Sequence, residues 1–272
     1  MTAPGLDCPM EIAVLPGMAA FHREAAARVV AAHDVALTRH GRFDLVLAGG
    51  STPAGVYAVL ASQFIDRLEW RRTHIFFGDE RCVPPDHAWS NYGMAHRTLL
   101  QHVPLPPANI HRMAGELSPE VAAGLYAAEL AGAELTHAEV SPAVAELAQL
   151  AGAACPRFDL VLLGMGDDGH TASLFPGMAA LGSQETVVAT AVPAYVEPQV
   201  GRITLTLPVL NAAHEALVLI AGAGKAPMVR RITAALRFGG ADAQLPLAQV
   251  KLAAGRLVWL LDEAAAAALG EL

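Results

Sequence analysis

The chain has 272 residues, 54% of them hydrophobic and 16% charged, with a formal net charge of −8. No apolar stretch approaches the ~20 residues that span a bilayer, and no basic tract offers a surface for nucleic acid. Membrane and nucleic acid are therefore not expected as partners. Residues Met1 to Met10 hold one acid, two prolines and no basic residue, unlike a secretion signal. Cys8, Cys82 and Cys155 are widely spaced and odd in number, which argues against a disulfide framework or a metal cluster and for a reducing, cytoplasmic setting. An anionic small molecule remains compatible with the acidic balance, because a few local cations and helix N-termini reverse the field inside one pocket. Without an internal repeat or a shift in composition, residues 1–272 read as a single α/β domain, a monomer or a small homo-oligomer.

Glu11 to Leu15 reads as a first strand. Phe21, Ala25, Val29, Ala32 and Ala36 then recur at helical spacing, and Gly41 ends that helix. The apolar run Phe43 to Ala48 is a buried strand broken by Gly49-Gly50-Ser51-Thr52-Pro53, after which Val56, Tyr57 and Leu60 begin another helix. This turn has neither a G-x-G-x-x-G nor a G-K-[ST] pattern. It is either an ordinary strand-to-helix turn or a cradle in which glycine backbone, hydroxyls and helix N-terminus meet an anion.

His74 to Gly78 is the next strand. It runs into Asp79-Glu80-Arg81, three adjacent charges that cannot all point one way. They are either an exposed ion-pair cluster on a loop, a reading that the flanking Phe76, Phe77 and Val83 weaken by suggesting partial burial, or a site where one faces a ligand while another pairs locally. Ser90 or Asn91 caps the following helix, and Ser118 with Pro119 opens one through Leu130. The alanine-rich stretch Thr136 to Pro156 reads as an inserted helix with loose ends.

Leu160 to Leu163 is a buried strand that stops at Gly164-Met165-Gly166 and delivers Asp167, Asp168 and His170 to its carboxyl end. Open α/β sheets place ligands there. A histidine moves protons near neutral pH, and a carboxylate two residues away holds its ring and tautomer. Metal is not expected, because His170, Asp167 and Asp168 are too few ligands and no second histidine lies at ligand spacing.

Strands follow at Val187 to Val192, Ile203 to Leu207, Ala216 to Ala221 and Leu257 to Leu261, with a helix from Met228 to Leu236 and an alanine-rich helix at the end. Arg202 precedes the second of these strands. Lys225 follows Gly222-Ala223-Gly224 at a helix start, where it opposes the helix dipole. It is either a solvated lysine or one half of an anion site shared with the exposed N–H groups. Strands alternating with helices predict a mostly parallel sheet covered on both faces; the strand order is left open.

Together, Gly49-Gly-Ser-Thr-Pro53, Asp79-Glu-Arg-Cys-Val-Pro84 with Ser90-Asn-Tyr92, Leu163-Gly-Met-Gly-Asp-Asp-Gly-His-Thr-Ala-Ser-Leu-Phe-Pro176, Arg202-Ile-Thr-Leu-Thr-Leu-Pro208 and Gly222-x-x-Lys225 resemble the 6-phosphogluconolactonase family. The resemblance covers most of the chain from Ala48 to Ile232. It departs at Gly55, where many relatives carry a basic residue, and over 136–156, which looks longer than usual. It implies a Rossmann-like fold and hydrolysis of 6-phospho-D-glucono-1,5-lactone to 6-phosphogluconate, in the oxidative pentose phosphate pathway, without metal or organic cofactor. Lactone hydrolysis needs an activated water, a place for the oxyanion and a proton for the leaving oxygen. On this reading His170 is the base and Asp168 orients it. Arg81, Arg202 and Lys225 serve phosphate and oxyanion, with Gly50, Ser51 and Thr52 as donors, and Asp79 meets sugar hydroxyls. Which cation meets which oxygen is left open.

Two alternatives stand beside it. An amino-sugar phosphate deaminase or isomerase on this fold would show a pattern resembling Asp-Gly-His-Ile-Gly-Phe-Asn-Glu-Pro. This chain reads Asp168-Gly-His-Thr-Ala-Ser-Leu-Phe-Pro176, without that glutamate. A sugar-phosphate sensor would need a DNA-binding helix-turn-helix, for which Met1 to Met10 leave no room.

Overall fold

The structure, a computed structural model, describes residues 10–132 and 155–269. Six strands form one parallel sheet: β1 (Met10–Leu15), β2 (Phe43–Leu47), β3 (Thr73–Phe77), β5 (Leu160–Gly164), β8 (Glu215–Ile220) and β9 (Arg256–Asp262), in the order β1-β9-β8-β5-β2-β3. The expected mostly parallel sheet is thus present.

Side chains alternate strictly across it, as the two-residue period of a strand requires. Leu45, Leu47, Ile75, Phe77, Leu160, Leu162, Leu217 and Val258 pack on one face against α1 (Gly17–His40), α2 (Ser51–Gln63) and α3 (Asn91–Thr98). Val46, Phe76, Val161, Leu163, Val218 and Trp259 pack on the other. There they meet α4 (Pro119–Leu130), a short α5 (Leu207–Ala212) and α6 (Ala226–Phe238). A strand with both faces covered gains nothing from polar residues, hence the unbroken apolar runs that announce these strands. A four-residue α7 (Glu263–Ala266) follows β9.

A second, three-stranded antiparallel sheet was not anticipated. It has the order β4 (Asp79–Arg81), β7 (Arg202–Leu205), β6 (Val187–Thr190). Asp79–Arg81 is therefore a strand, not a loop. Gly78 donates its N–H to Leu47 O and accepts from Leu205 N–H, so the chain leaves the parallel sheet at this residue and joins the small one. Leu207 belongs to α5 and not to the preceding strand, since Pro208 in the first turn fixes a helical φ. The expected inserted helix lies outside the described residues apart from Cys155 and Pro156, which are not helical.

The chain runs outward from β2 to β3, then returns to place β5 on the other side of β2 and continues toward β8. The crevice between the carboxyl ends of β2 and β5 is the point where the strand order reverses, the usual ligand position in open α/β sheets.

Candidate active site

A cavity of about 340 Å³ fills that crevice. Its floor is the glycine turn after β2 and the loop after β5. Its walls are Asp79, Arg81 and Arg202 of the small sheet, Lys225, and the segment around Val196 and Glu197.

His170 is fixed from below and from the side. Its Nδ1–H donates to Asp168 Oδ1 at 2.6 Å, and its backbone N–H donates to the same oxygen at 3.1 Å. Its ring packs on Phe175, with centroids 4.7 Å apart. A Cβ on Gly166 would lie 2.1 Å from the ring atoms Cε1 and Nδ1, so only glycine fits beneath the imidazole. Gly169, with φ +83°, turns the chain so that residues 168 and 170 meet. With Nδ1 engaged, Nε2 is the nitrogen left for chemistry in the cavity. Asp168 Oδ2 accepts from Tyr195 OH at 2.9 Å. Burial raises the Asp168 carboxyl, but the bond to His170, the imidazolium charge and the donors from the His170 backbone and Tyr195 together outweigh it and hold it at about 2.

The three adjacent charges of β4 divide their tasks. Glu80 is buried and turned inward. It accepts the N–H groups of Arg81, Asn91 and Tyr92 and the Ser90 hydroxyl, and so caps the start of α3. Burial raises its carboxyl and these donors only partly offset that. Asp79 faces the cavity. Its carboxylate accepts from Ser173 Oγ at 2.6 Å and from Asn91 Nδ2 at 3.0 Å. A Cβ on Gly49 would meet Asn91 Oδ1 at 2.0 Å, so glycine is required here for Asn91 to reach Asp79. Arg81 also lines the cavity. Its Nη1 donates to Trp89 O at 2.6 Å, while its buried Nε has no partner.

Arg202 is 2% exposed and stands directly opposite Arg81 in the β4–β7 ladder. Its Nη2 donates to Pro198 O at 3.1 Å and its Nη1 to Val200 O at 3.3 Å. Burial lowers its pKa first, and the Arg81 charge adds to that. Among the described residues neither arginine has a carboxylate within salt-bridge distance. Lys225 Nζ is held by Asp167 Oδ1 at 2.6 Å, with Asp167 itself 85% exposed.

Of the residues expected from sequence, Gly50, Asp79, Arg81, His170, Arg202 and Lys225 converge on this one cavity, and Asp168 stands behind His170. Ser51 and Thr52 do not line it. They form the first turn of α2, Ser51 is exposed, and at this point the cavity is lined by the backbone of Gly49 and Gly50. Tyr195 and Ser173 were not singled out. Ser173 lies inside the Asp168–Pro176 motif and was legible as a neighbour of His170. Tyr195 sits in an aperiodic, proline-punctuated stretch, and only the tertiary contact reveals it.

The fold and site are those of an open, parallel α/β sheet with a histidine–carboxylate pair and two arginines without carboxylate partners among the described residues, all at its switch point. Comparison with known proteins narrows this. The chain belongs to the family described as glucosamine-6-phosphate isomerases/6-phosphogluconolactonase, whose model matches residues 16–259. It is 36% identical over 261 residues to a 6-phosphogluconolactonase of Nostoc sp., covering 95% of this chain and 98% of the relative. A solved 6-phosphogluconolactonase from Trypanosoma brucei superposes with a TM-score of 0.75 at 28% identity, covering 97% of this chain and all of that one. A monomeric glucosamine-6-phosphate deaminase superposes with a TM-score of 0.73 at 18% identity, which shows the fold alone.

Proposed function

We propose that this chain is a lactone hydrolase that converts 6-phospho-D-glucono-1,5-lactone to 6-phospho-D-gluconate, acting in the cytoplasm. The carrying observation is that the His170–Asp168 pair and the facing Arg81 and Arg202 line or border one cavity. The free cysteines Cys82 and Cys155 fit a reducing compartment.

In this mechanism Nε2 of His170 takes a proton from a water as its oxygen adds to the lactone carbonyl carbon. The carbonyl electrons move to oxygen, giving a tetrahedral oxyanion. Collapse re-forms the carbonyl and breaks the bond to the ring oxygen, which receives the proton from the imidazolium. Asp168 remains ionised throughout and favours the cationic imidazole in the transition state. Arg81 and Arg202 hold the phosphate. Lys225 and the backbone of Gly49 and Gly50 are then the groups left for the oxyanion. Asp79, with lone pairs beyond those used by Ser173 and Asn91, accepts from sugar hydroxyls. Against a deaminase reading stands Phe175, which packs on His170 where that chemistry expects a glutamate-bearing motif.

The test compares kcat/KM for 6-phosphogluconolactone and plain gluconolactone, with uncatalysed hydrolysis subtracted. Two charge-assisted hydrogen bonds at roughly 1.5–3 kcal/mol each should separate the two lactones by about 10²–10⁴. Equal values would sink the phosphate assignment and leave a general sugar lactonase.

A further inference from the structure

Residues 193–200 bridge the two ends of the cavity. At the arginine end, the carbonyls of Pro198 and Val200 accept from Arg202. At the histidine end, Tyr195 OH donates to Asp168 Oδ2 at 2.9 Å. Between them Val196 and Glu197 line the cavity. Gln199 Nε2 donates to Pro193 O at 3.0 Å and also to Val196 O, closing the segment on itself.

Both Asp168 oxygens are therefore held, Oδ1 by His170 and Oδ2 by Tyr195. The terminal torsion of an aspartate is broad and roughly two-fold, so donors from one side alone leave the carboxylate plane loose. A second donor on the far oxygen fixes the plane, and the plane fixes the direction in which the imidazole presents Nε2. We infer that Tyr195 is a positioning residue for the hydrolysis, acting on His170 through Asp168, and that its segment ties the seating of Arg202 to the geometry of the base. The inference rests on the reading of His170 as that base.

Tyr195 is 65% exposed, so its ring adds little packing and Tyr195→Phe should fold normally. The experiment measures kcat, KM and Tm for Tyr195→Phe, Asp168→Ala, their double variant and His170→Ala, with 6-phosphogluconolactone as substrate. Tyr195→Phe should lower kcat about 10-fold with KM changed less than about 2-fold and Tm unaltered. In the Asp168→Ala background the same substitution should cost less than about 2-fold, because its partner is gone. A merely structural tyrosine would lower Tm or give equal losses in both backgrounds, and either result overturns the proposal. If His170→Ala is inactive while Tyr195→Phe matches the parent, the positioning role alone fails. If His170→Ala keeps near-normal kcat, the reading of the base fails, and the proposal with it.

Discussion

Arg81 and Arg202 are register partners in the antiparallel β4–β7 ladder, so two cationic side chains stand side by side at the cavity wall. Like charges directly opposite in a ladder are destabilising, and Arg202 is almost wholly buried as well. The nearby Asp79 and Glu80 favour its charge only in part, since burial and Arg81 still lower its pKa. An arginine stays charged in any such environment, so the pair is tolerated at a cost that a bound dianion would reverse.

Arg81→Met should therefore separate stability from function. Removing one charge of the pair and its unpartnered Nε is expected to leave stability within about 1 kcal/mol of the parent, or to raise it. The same change should lower kcat/KM for 6-phosphogluconolactone by about 10² while moving that for gluconolactone little. Urea melts and paired kinetics check both halves; a large loss of stability with unchanged selectivity would show that Arg81 is a structural residue.

His170→Ala should reduce kcat by about 10²–10⁴, the usual share of a positioned base. Asp168→Asn should cost less, since it keeps a partner for the ring but loses the charge. The depressed pKa of Asp168, about 2 against an ordinary 3.8, also fixes a sign for stability. A carboxylate lowered on folding contributes stability that is present above the unfolded value and lost as pH falls through the folded one. The Asp168 contribution to the stability difference between parent and Asp168→Asn should be fully present just above about pH 4 and shrink between there and about pH 2. Chemical denaturation at pH 5 and pH 3 reads this directly, and a difference that grows on acidification would contradict it.

Gly166→Ala tests the seat of the imidazole. The added Cβ would come within 2.1 Å of the His170 ring, which must move away from its place over the turn. We expect a loss in kcat approaching that of His170→Ala with Tm lowered by only a few degrees, because Gly166 lies in a loop beyond β5. Near-normal kcat in a folded variant would mean that ring placement is not limiting.

Exhaustive dialysis against EDTA should leave activity unchanged. Nδ1 of His170 is committed to Asp168, and no group of three His, Cys, Asp or Glu side chains among the described residues is arranged to hold a metal ion. Loss on chelation with recovery on adding Zn²⁺ or Mg²⁺ would refute this.

The parallel sheet and the two glycine-bearing strand ends could be read from the amino-acid order alone, because a buried strand advertises itself as a local apolar run and its end as a local turn. His170 and Asp168 were legible for the same reason, being two residues apart. The division of labour in Asp79-Glu80-Arg81 was not. Adjacent charges have identical local signals, and only the pairing of β4 with β7 decides that Glu80 turns inward to α3 while Arg81 meets Arg202. Ser51 and Thr52 looked like ligand donors, yet their place in the first turn of α2 leaves them outside the cavity lining. Tyr195 carries no sequence signal at all. Its hydroxyl reaches Asp168 across 27 positions of chain, and contacts of that separation exist only after the small sheet has folded its loop back over the crevice.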